Sequence, residues 1–496
     1  MNLIKFRRQF LFSPTLVEQL ESWQMIKLSK YYVYAEHSLS LNKVSTNNLE
    51  LVLLGYWINP HCPDKSNIEI LKDGLNHIKD INSVSDFIYP LSGRFVLIVK
   101  IDQDLYVFND ASGFRQVFFT FHNENFYMSS NIFLFRYLFE IKQKKDFQYY
   151  LHSAHYLQSP TYAWPAGYTF YEGIEHLVPN HFLNVNKKSI IRFFPNHKNT
   201  IITEESEIED AIDYIVTMLK NSLISIKNKQ AISLSLTSGN DSRVLLSLVK
   251  DFAKDIYFWI SYNSKKESDY FIPKEILNNL GLNFYPIKNK KLSKDFLKFY
   301  SENTPLAHNS WAKYNYSKIG KYPENYTVIR GASSETARNY YYPDGIHPKA
   351  VSLEELAKIG NFSFLKLDFL KLIFENWLDK SETIIKNKGY NTLDFIFWEH
   401  REGVWQAQNQ LESDFLFDVF VPYNNREILD LMLSIPNNYR DKKYPYIYRK
   451  IIEINHPELL KYPINPPDRY TKFEINLKYY FAAIKYKINN FKKNLL

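Results

Sequence analysis

Ile232, Leu234 and Leu236 alternate with small residues, the period of a strand. The pattern breaks into six small polar residues, Thr237-Ser238-Gly239-Asn240-Asp241-Ser242, then resumes as a helical run, Val244-Leu245-Leu246-Ser247-Leu248. A second strand is predicted over Ile256–Ser261. Glu267-Ser268-Asp269-Tyr270 opens an apolar helix through Ile276, Leu277 and Leu280, which Gly281 stops, and Asn283–Ile287 is a third strand. Strand, loop, helix, strand, helix, strand is the order of an α/β, doubly wound parallel sheet, whose ligand sits at the C-terminal ends of the strands.

The polar turn has the chemistry of an anion cradle. Backbone N–H groups at a helix start point outward, and the helix dipole favours negative charge. Gly239 permits close approach of a ligand, and Thr237, Ser238 and Ser242 add hydroxyl donors. Asp241 would repel a phosphate unless a divalent cation stood between them, which suggests Mg²⁺. The same residue types are ordinary turn and cap residues, and neither GxxxxGK[ST] nor GxGxxG is present.

Leu236-Thr237-Ser238-Gly239-Asn240-Asp241-Ser242 resembles the LSGGxDS pyrophosphate loop of the asparagine synthetase family, including its beta-lactam synthetase and lasso-peptide cyclase branches. Thr237 stands for the first Ser and Ser238 for the first Gly. Arg330-Gly331-Ala332-Ser333-Ser334-Glu335 is similar to the family's GDGGDE segment, with Glu335 replacing an Asp; a strand followed by a helix capped by Ser333 or Ser334 is the plainer reading. Asp418–Tyr423 with Glu427–Met432, Ile435 and Pro436 resembles EVRVPFLD…AFSLP, a packing segment. The resemblance implies ATP and Mg²⁺ as cofactors, with Leu236 to Ser242, Ser261 and Gly331 binding nucleotide and Asp241 and Glu335 holding metal.

Similar segments occur in the first half. Leu91–Val99 resembles the DGMFAFAL strand of an amidotransferase domain, Asn109–Arg115 its RDRFGEKP turn, and Phe126–Asn131 its FASE segment. Gly167–Pro195 resembles the bridge between domains. The likeness runs with gaps from about Leu51 to about Pro467. It implies an N-terminal antiparallel α+β amidotransferase-like domain over 1–195, an ATP-pyrophosphatase domain with a helical extension over 205–475, and a basic helix over 476–496. A glutaminase of this class uses a Cys at position 2. Here the chain reads Met1-Asn2-Leu3-Ile4 and its single cysteine is Cys62, beside His61. The expectation is a domain that packs but does not hydrolyse glutamine.

Composition narrows the class. With 496 residues, 45% hydrophobic and 23% charged, the chain is of ordinary globular make-up. One cysteine fits a reducing cytoplasm, and no apolar run reaches the length of a membrane helix. The net charge of +8 is modest; it suits attraction of ATP and gives no reason to expect nucleic acid. Glu474–Leu496 carries five Lys among Ile475, Leu477, Phe481, Ile484, Ile488 and Phe491, a helix packed on its own domain or lying on an anionic membrane or a partner. A homodimer is compatible with this reading.

The family uses a basic residue near its C-terminal end. Lys472 is the first candidate and Arg469 the second, and Lys442 and Lys443 resemble a basic K..LR helix. Glu402 or Glu399 is placed to take a proton from an acceptor amine, or else to salt-bridge along the helix with Arg401. The histidines lack metal-ligand spacing, so no zinc is expected. The implied activity is an ATP-dependent amide-bond-forming ligase that releases AMP and pyrophosphate. Its partners are a small-molecule or peptide carboxylate and an amine that does not come from glutamine. A non-catalytic scaffold or nucleotide-binding protein, and an ammonia-dependent asparagine synthetase, stay open as alternatives.

Overall fold

The alternation at Ile232 becomes the strand Ala231–Ser235, the centre of a five-stranded parallel sheet. Its order is Phe284–Lys288, Tyr257–Tyr262, Ala231–Ser235, Tyr326–Ile329, Asp418–Phe420, all paired parallel. This is a computed structural model, and it describes residues 3–152, 165, 167–305, 309–343, 345–346, 351–358, 362, 365–441 and 445–469. The chain moves outward from the central strand in one direction for two strands, then crosses to the other side. The direction therefore reverses between Ala231–Ser235 and Tyr326–Ile329, where an open α/β sheet splays its loops and leaves a crevice.

Crossover connections require helices on the faces of such a sheet. Glu205–Lys229 packs with Ile212, Leu219 and Leu223 buried, and Asn240–Leu248 with Val244, Leu245 and Leu246 buried. Ser268–Asn279 ends where Gly281 adopts φ 65°, the left-handed turn the glycine signalled.

The first half is antiparallel. One six-stranded sheet contains Phe10–Ser13, Tyr31–Ala35 and Asn125–Ser129; the other contains Leu49–Ile58, Ser92–Ile101 and Asp104–Asn109. Phe10, Val33, Val52, Val96, Val107 and Met128 form one buried cluster from the two sheets. Ile70, Leu71, Val84 and Ile88, from helices Asn67–His77 and Ile81–Ile88, belong to another with Leu51, Leu97 and Val99 of the second sheet. The expected α/β class, antiparallel in the first half and parallel in the second, is the architecture found.

The halves meet through buried charge. Asp414, just before the last parallel strand, receives Arg94 in a bidentate pair, with Nη2 to Oδ2 at 2.9 Å. Gln9 Nε2 donates to Asp414 Oδ2 at 2.8 Å, and Arg8 Nη1 to the Asp414 carbonyl at 2.6 Å. Arg115 approaches Asp414 at 3.5 Å, and Arg94 reaches Asp418 at 3.3 Å. Burial would drive these charges neutral; the arginines beside Asp418 instead hold its carboxyl below the usual range. Asn424 adds a neutral bridge: its Nδ2 donates to Asp110 Oδ1 at 2.9 Å, and its Oδ1 accepts from the Ser112 N–H at 2.7 Å.

Removing Asp414 would leave three arginines buried with too little counter-charge. Asp414→Ala is expected to cost about 3–5 kcal/mol, read from urea unfolding. A midpoint unchanged from wild type would show that the cluster does not hold the halves together.

Candidate functional site

The crevice at the strand reversal is lined by both loops that the sequence singled out. After Ser235 the chain turns through Leu236–Gly239 into the helix Asn240–Leu248; after Ile329 it turns through Arg330–Ser333 into a short 3-10 turn, Ser334–Ala337. The loops touch. A Cβ on Gly331 would lie 2.8 Å from Asp241 Cβ, so only glycine lets them approach this closely. Between them is a cavity of about 390 Å³, whose walls include Thr237, Asp241, Ser242, Gly331, Glu335 and Glu402.

The first loop is held from several sides. The Thr237 N–H donates to Ser242 Oγ at 3.0 Å, and the two hydroxyls lie 3.0 Å apart. Ser238 donates its N–H and hydroxyl to Asp269 Oδ1 at 2.9 and 2.7 Å. Buried Arg243 donates to the carbonyls of Ser238, Tyr462 and Pro463 at 3.1, 2.6 and 2.9 Å, fastening the loop to the segment after the last helix. Asp269 thus occupies donors that the sequence assigns to a phosphate.

The third wall is a helix with an irregularity that no sequence period predicts. Residues Phe397–Gln406 form a π-helix, in which the Ala407 N–H reaches back to the Glu402 carbonyl. Arg401, Glu402 and Trp405 all line the cavity. Gly403 on this helix packs against the first half, where a Cβ would come within 2.4 Å of Pro179 Cδ. Ser333 has φ 69°, a conformation a serine holds only when its surroundings fix it. Its hydroxyl lies 2.9 Å from Ser112 Oγ of the first half and 3.5 Å from Glu402 Oε2. Ser333 stands at the N-cap of the 3-10 turn but its side chain makes no cap bond; the Ser334 hydroxyl donates to the Gly331 carbonyl at 2.8 Å.

Three carboxylates therefore face one space. Burial, then repulsion from Asp241, pushes Glu335 up to about 7; burial, then repulsion from Glu335, pushes Glu402 up to about 8. Burial raises Asp241 as well, against the pull of Arg338. Arg338 Nη1 donates to Asp241 Oδ1 at 3.2 Å, and Nη2 lies 3.5 Å from Glu335 Oε1. Glu335 Oε2 is buried without a hydrogen-bond partner. Such an oxygen calls for a proton, a cation or a ligand donor. Among the described residues no group of three or more His, Cys, Asp or Glu could hold a metal ion. Asp241 and Glu335 supply hard oxygen donors, the type a divalent cation takes, and Arg338 pairs with both.

Other expected residues fall elsewhere. Leu236 is buried and its N–H donates to the Trp259 carbonyl; Ser261 donates to Asn289 Oδ1 at 3.0 Å, off the cavity wall. Arg469 stacks on Phe271, its guanidinium 3.8 Å from the ring centroid, and its N–H binds the Lys266 carbonyl, so it is not among the cavity-lining residues. Lys472, Lys442, Lys443 and the basic segment 476–496 lie outside the described residues. Glu399 pairs with Arg192, Nη2 to Oε2 at 2.9 Å, and accepts from Trp377. That pairing replaces the helix-face bridge to Arg401, whose guanidinium stacks on Trp405 at 3.5 Å. Sequence reasoning missed Arg338, although its i,i+3 spacing from Glu335 was readable, and missed Tyr340, Phe397 and Trp405 as an aromatic wall. Cys62 is exposed, in the turn after the strand Leu49–Ile58.

No family model matches the chain, and no curated protein matches it. Among solved structures it is similar to the NMN synthetase from Francisella tularensis (16% identity over 34% of this chain and 73% of that one, TM-score 0.18). It is also similar to the glutamine phosphoribosylpyrophosphate amidotransferase from B. subtilis complexed with ADP and GMP (10%, 67% and 71%, 0.24). A third is the NH3-dependent NAD synthetase from Campylobacter jejuni subsp. jejuni NCTC 11168 in complex with the nitrate ion (14%, 41% and 95%, 0.20). Likenesses this distant leave the functional reading to the site itself. Among the described residues no helix is long and apolar enough to cross a membrane.

The raised carboxyls make stability depend on pH. The folded state retains protons on Glu335 and Glu402 that the unfolded chain releases near the ordinary glutamate value of 4.5. Stability is therefore expected to fall as pH rises from about 5 towards 8. Thermal unfolding in EDTA should show this slope, and Glu402→Gln should flatten it; an equal slope in the variant would remove Glu402 as its source. Gly331→Ala is expected to push the two loops apart and cost about 1–3 kcal/mol, read from urea unfolding; a midpoint equal to wild type would show that the loops do not need the glycine.

Proposed function

We propose that the chain is an ATP-dependent amide ligase of the asparagine synthetase type, which adenylates a carboxylate and passes it to an amine. What carries the reading is the meeting of a polar strand-to-helix loop with Asp241, Glu335 and Glu402 around one cavity at the sheet's reversal point. Loop and helix start suit the β and γ phosphates of ATP. A substrate carboxylate oxygen attacks the α-phosphorus, the bond to the β-phosphate oxygen breaks, and pyrophosphate leaves within the loop. Mg²⁺, when bound, would neutralise charge between the carboxylates and the polyphosphate. Asp241 and Glu335 would hold it, and Ser238 would turn from Asp269 to the leaving phosphate.

In the second step the amine nitrogen attacks the acyl carbon, the bond to AMP breaks, and the nitrogen loses a proton. Glu402 is the candidate acceptor. It is buried and reaches the cavity, and burial raises it to about 8, so its ionised form is a stronger base than an ordinary glutamate and can take the proton the amine loses. Arg401 and Arg330 line the same cavity and would balance the acid substrate and the AMP phosphate. The single thiol, Cys62, is exposed on a turn away from this cavity, which supports an amine supplied directly and not released from glutamine.

A second reading, a non-catalytic protein that keeps the fold, is favoured by one observation: Arg338 already pairs with Asp241 and competes with a cation there. Calorimetry with Mg·ATP separates the two, since the scaffold reading expects no binding.

Labelled pyrophosphate should exchange into ATP only when the correct carboxylate is present. Asp241→Ala should lower that exchange at least a hundredfold; full activity in this variant would sink the assignment. Glu402→Gln should retain exchange, because adenylation needs no base, yet lose amide formation about a hundredfold or more. Loss of both steps together would argue against Glu402 as the proton acceptor.

A further inference from the structure

A second and larger cavity, of about 740 Å³, lies at the opposite, N-terminal edge of the parallel sheet. Both halves build it. The first half contributes Arg7, Arg8 and the strand Leu49–Ile58 from Gly55 onward; the second contributes Lys229, Thr327 and Asp418. None of the residues discussed for ATP or amide chemistry lines it.

Its charge is one-sided. Three cationic side chains, Arg7, Arg8 and Lys229, line it against a single carboxylate, Asp418, an excess of two positive charges. That carboxylate is already committed: Arg94 holds it at 3.3 Å, Arg115 at 3.8 Å and Arg8 at 4.0 Å. Arg7 Nε donates to the Ser38 hydroxyl at 3.2 Å, and no carboxylate of the described residues lies within ion-pair distance of its guanidinium. Lys229 Nζ, at the rim, donates to the Lys65 carbonyl at 2.7 Å and the Ser225 hydroxyl at 2.9 Å, again with no carboxylate in ion-pair range. Partial burial lowers Arg7, and the carboxylates that pull against it, Glu36, Glu324 and Asp418, stay beyond ion-pair distance; Lys229 is exposed at the rim. Concave walls of mixed polarity, a size suited to a small molecule and an excess of cations are what an anion-binding pocket requires.

We propose that this cavity binds a small organic anion with two acidic groups, one held by Arg7 and Arg8 and the other by Lys229. Carboxylates and phosphates share the required chemistry. The site is separate from the proposed ATP cleft, and the assignment stands whether or not the chain forms amides.

The full chain is titrated by calorimetry at low ionic strength with citrate and, separately, with fructose 1,6-bisphosphate, which distinguishes the two acid types. Binding of at least one is expected. It should weaken about tenfold or more in the Arg7→Gln/Lys229→Gln double variant, weaken further in Lys229→Glu, and stay within about twofold in Asp241→Ala. Thermal midpoints close to wild type confirm that the variants fold, since neither side chain belongs to the core. The proposal is overturned if neither anion binds the wild type, if the double variant binds equally well, if Mg·ATP displaces the anion, or if zwitterionic glutamine binds as tightly.

Discussion

The buried pairing of Asp414 with Arg94, Arg115 and Arg8 is the constraint on which the rest of the molecule depends. A carboxylate taken out of water is tolerable only where it is surrounded by donors, and these donors come from the opposite half of the chain. The cluster therefore fixes how the antiparallel sheets lie against the parallel one. Pro179 then presses on Gly403, and Ser112 comes within hydrogen-bond distance of Ser333. Both contacts bear on the catalytic cleft proposed here: Gly403 belongs to the π-helix that carries Glu402, and Ser333 is the strained residue beside it. The first half thus positions a wall of the cleft without contributing a residue to its lining.

Inside the cleft the decisive quantity is charge. Asp241, Glu335 and Glu402 repel one another in a space that excludes much of the water able to screen them. Arg338 relieves one end of the row, and the raised carboxyls relieve the other by keeping protons. On the function proposed above, a polyphosphate arriving with its cation would invert the balance, because the same carboxylates would become ligands.

Much of this was legible in the sequence, for definite reasons. Period-two alternation at Ile232 placed the strand to within a residue; the run after Ser242 placed the helix but not its start, which lies at Asn240 because polar residues fill its first turn. Gly331 could be singled out, but the reason for it, contact with Asp241 across the crevice, is a tertiary fact. The π-helix over Phe397–Gln406 left no sequence signal, since one inserted residue is invisible without the ladder it distorts. Glu399 and Glu402 looked alike in sequence; only the fold assigns the first to Arg192 and the second to the cavity. Arg469 had the right chemistry and the right region, but stacks on Phe271 instead.

The two edges of the parallel sheet differ in charge. The strand Tyr326–Ile329 begins with residues lining the cationic cavity, Tyr326 and Thr327, and ends with Val328 and Ile329 beside the carboxylates. The strand Asp418–Phe420 also begins at the first cavity, and its leading carboxylate is shared with the arginines that join the halves. Arg8 itself lines the basic edge and reaches Asp418 and the Asp414 carbonyl, so the ionic cluster that joins the halves begins at that cavity's wall. The basic edge and the acidic cleft are opposite ends of a charge distribution whose centre is buried where the two halves meet.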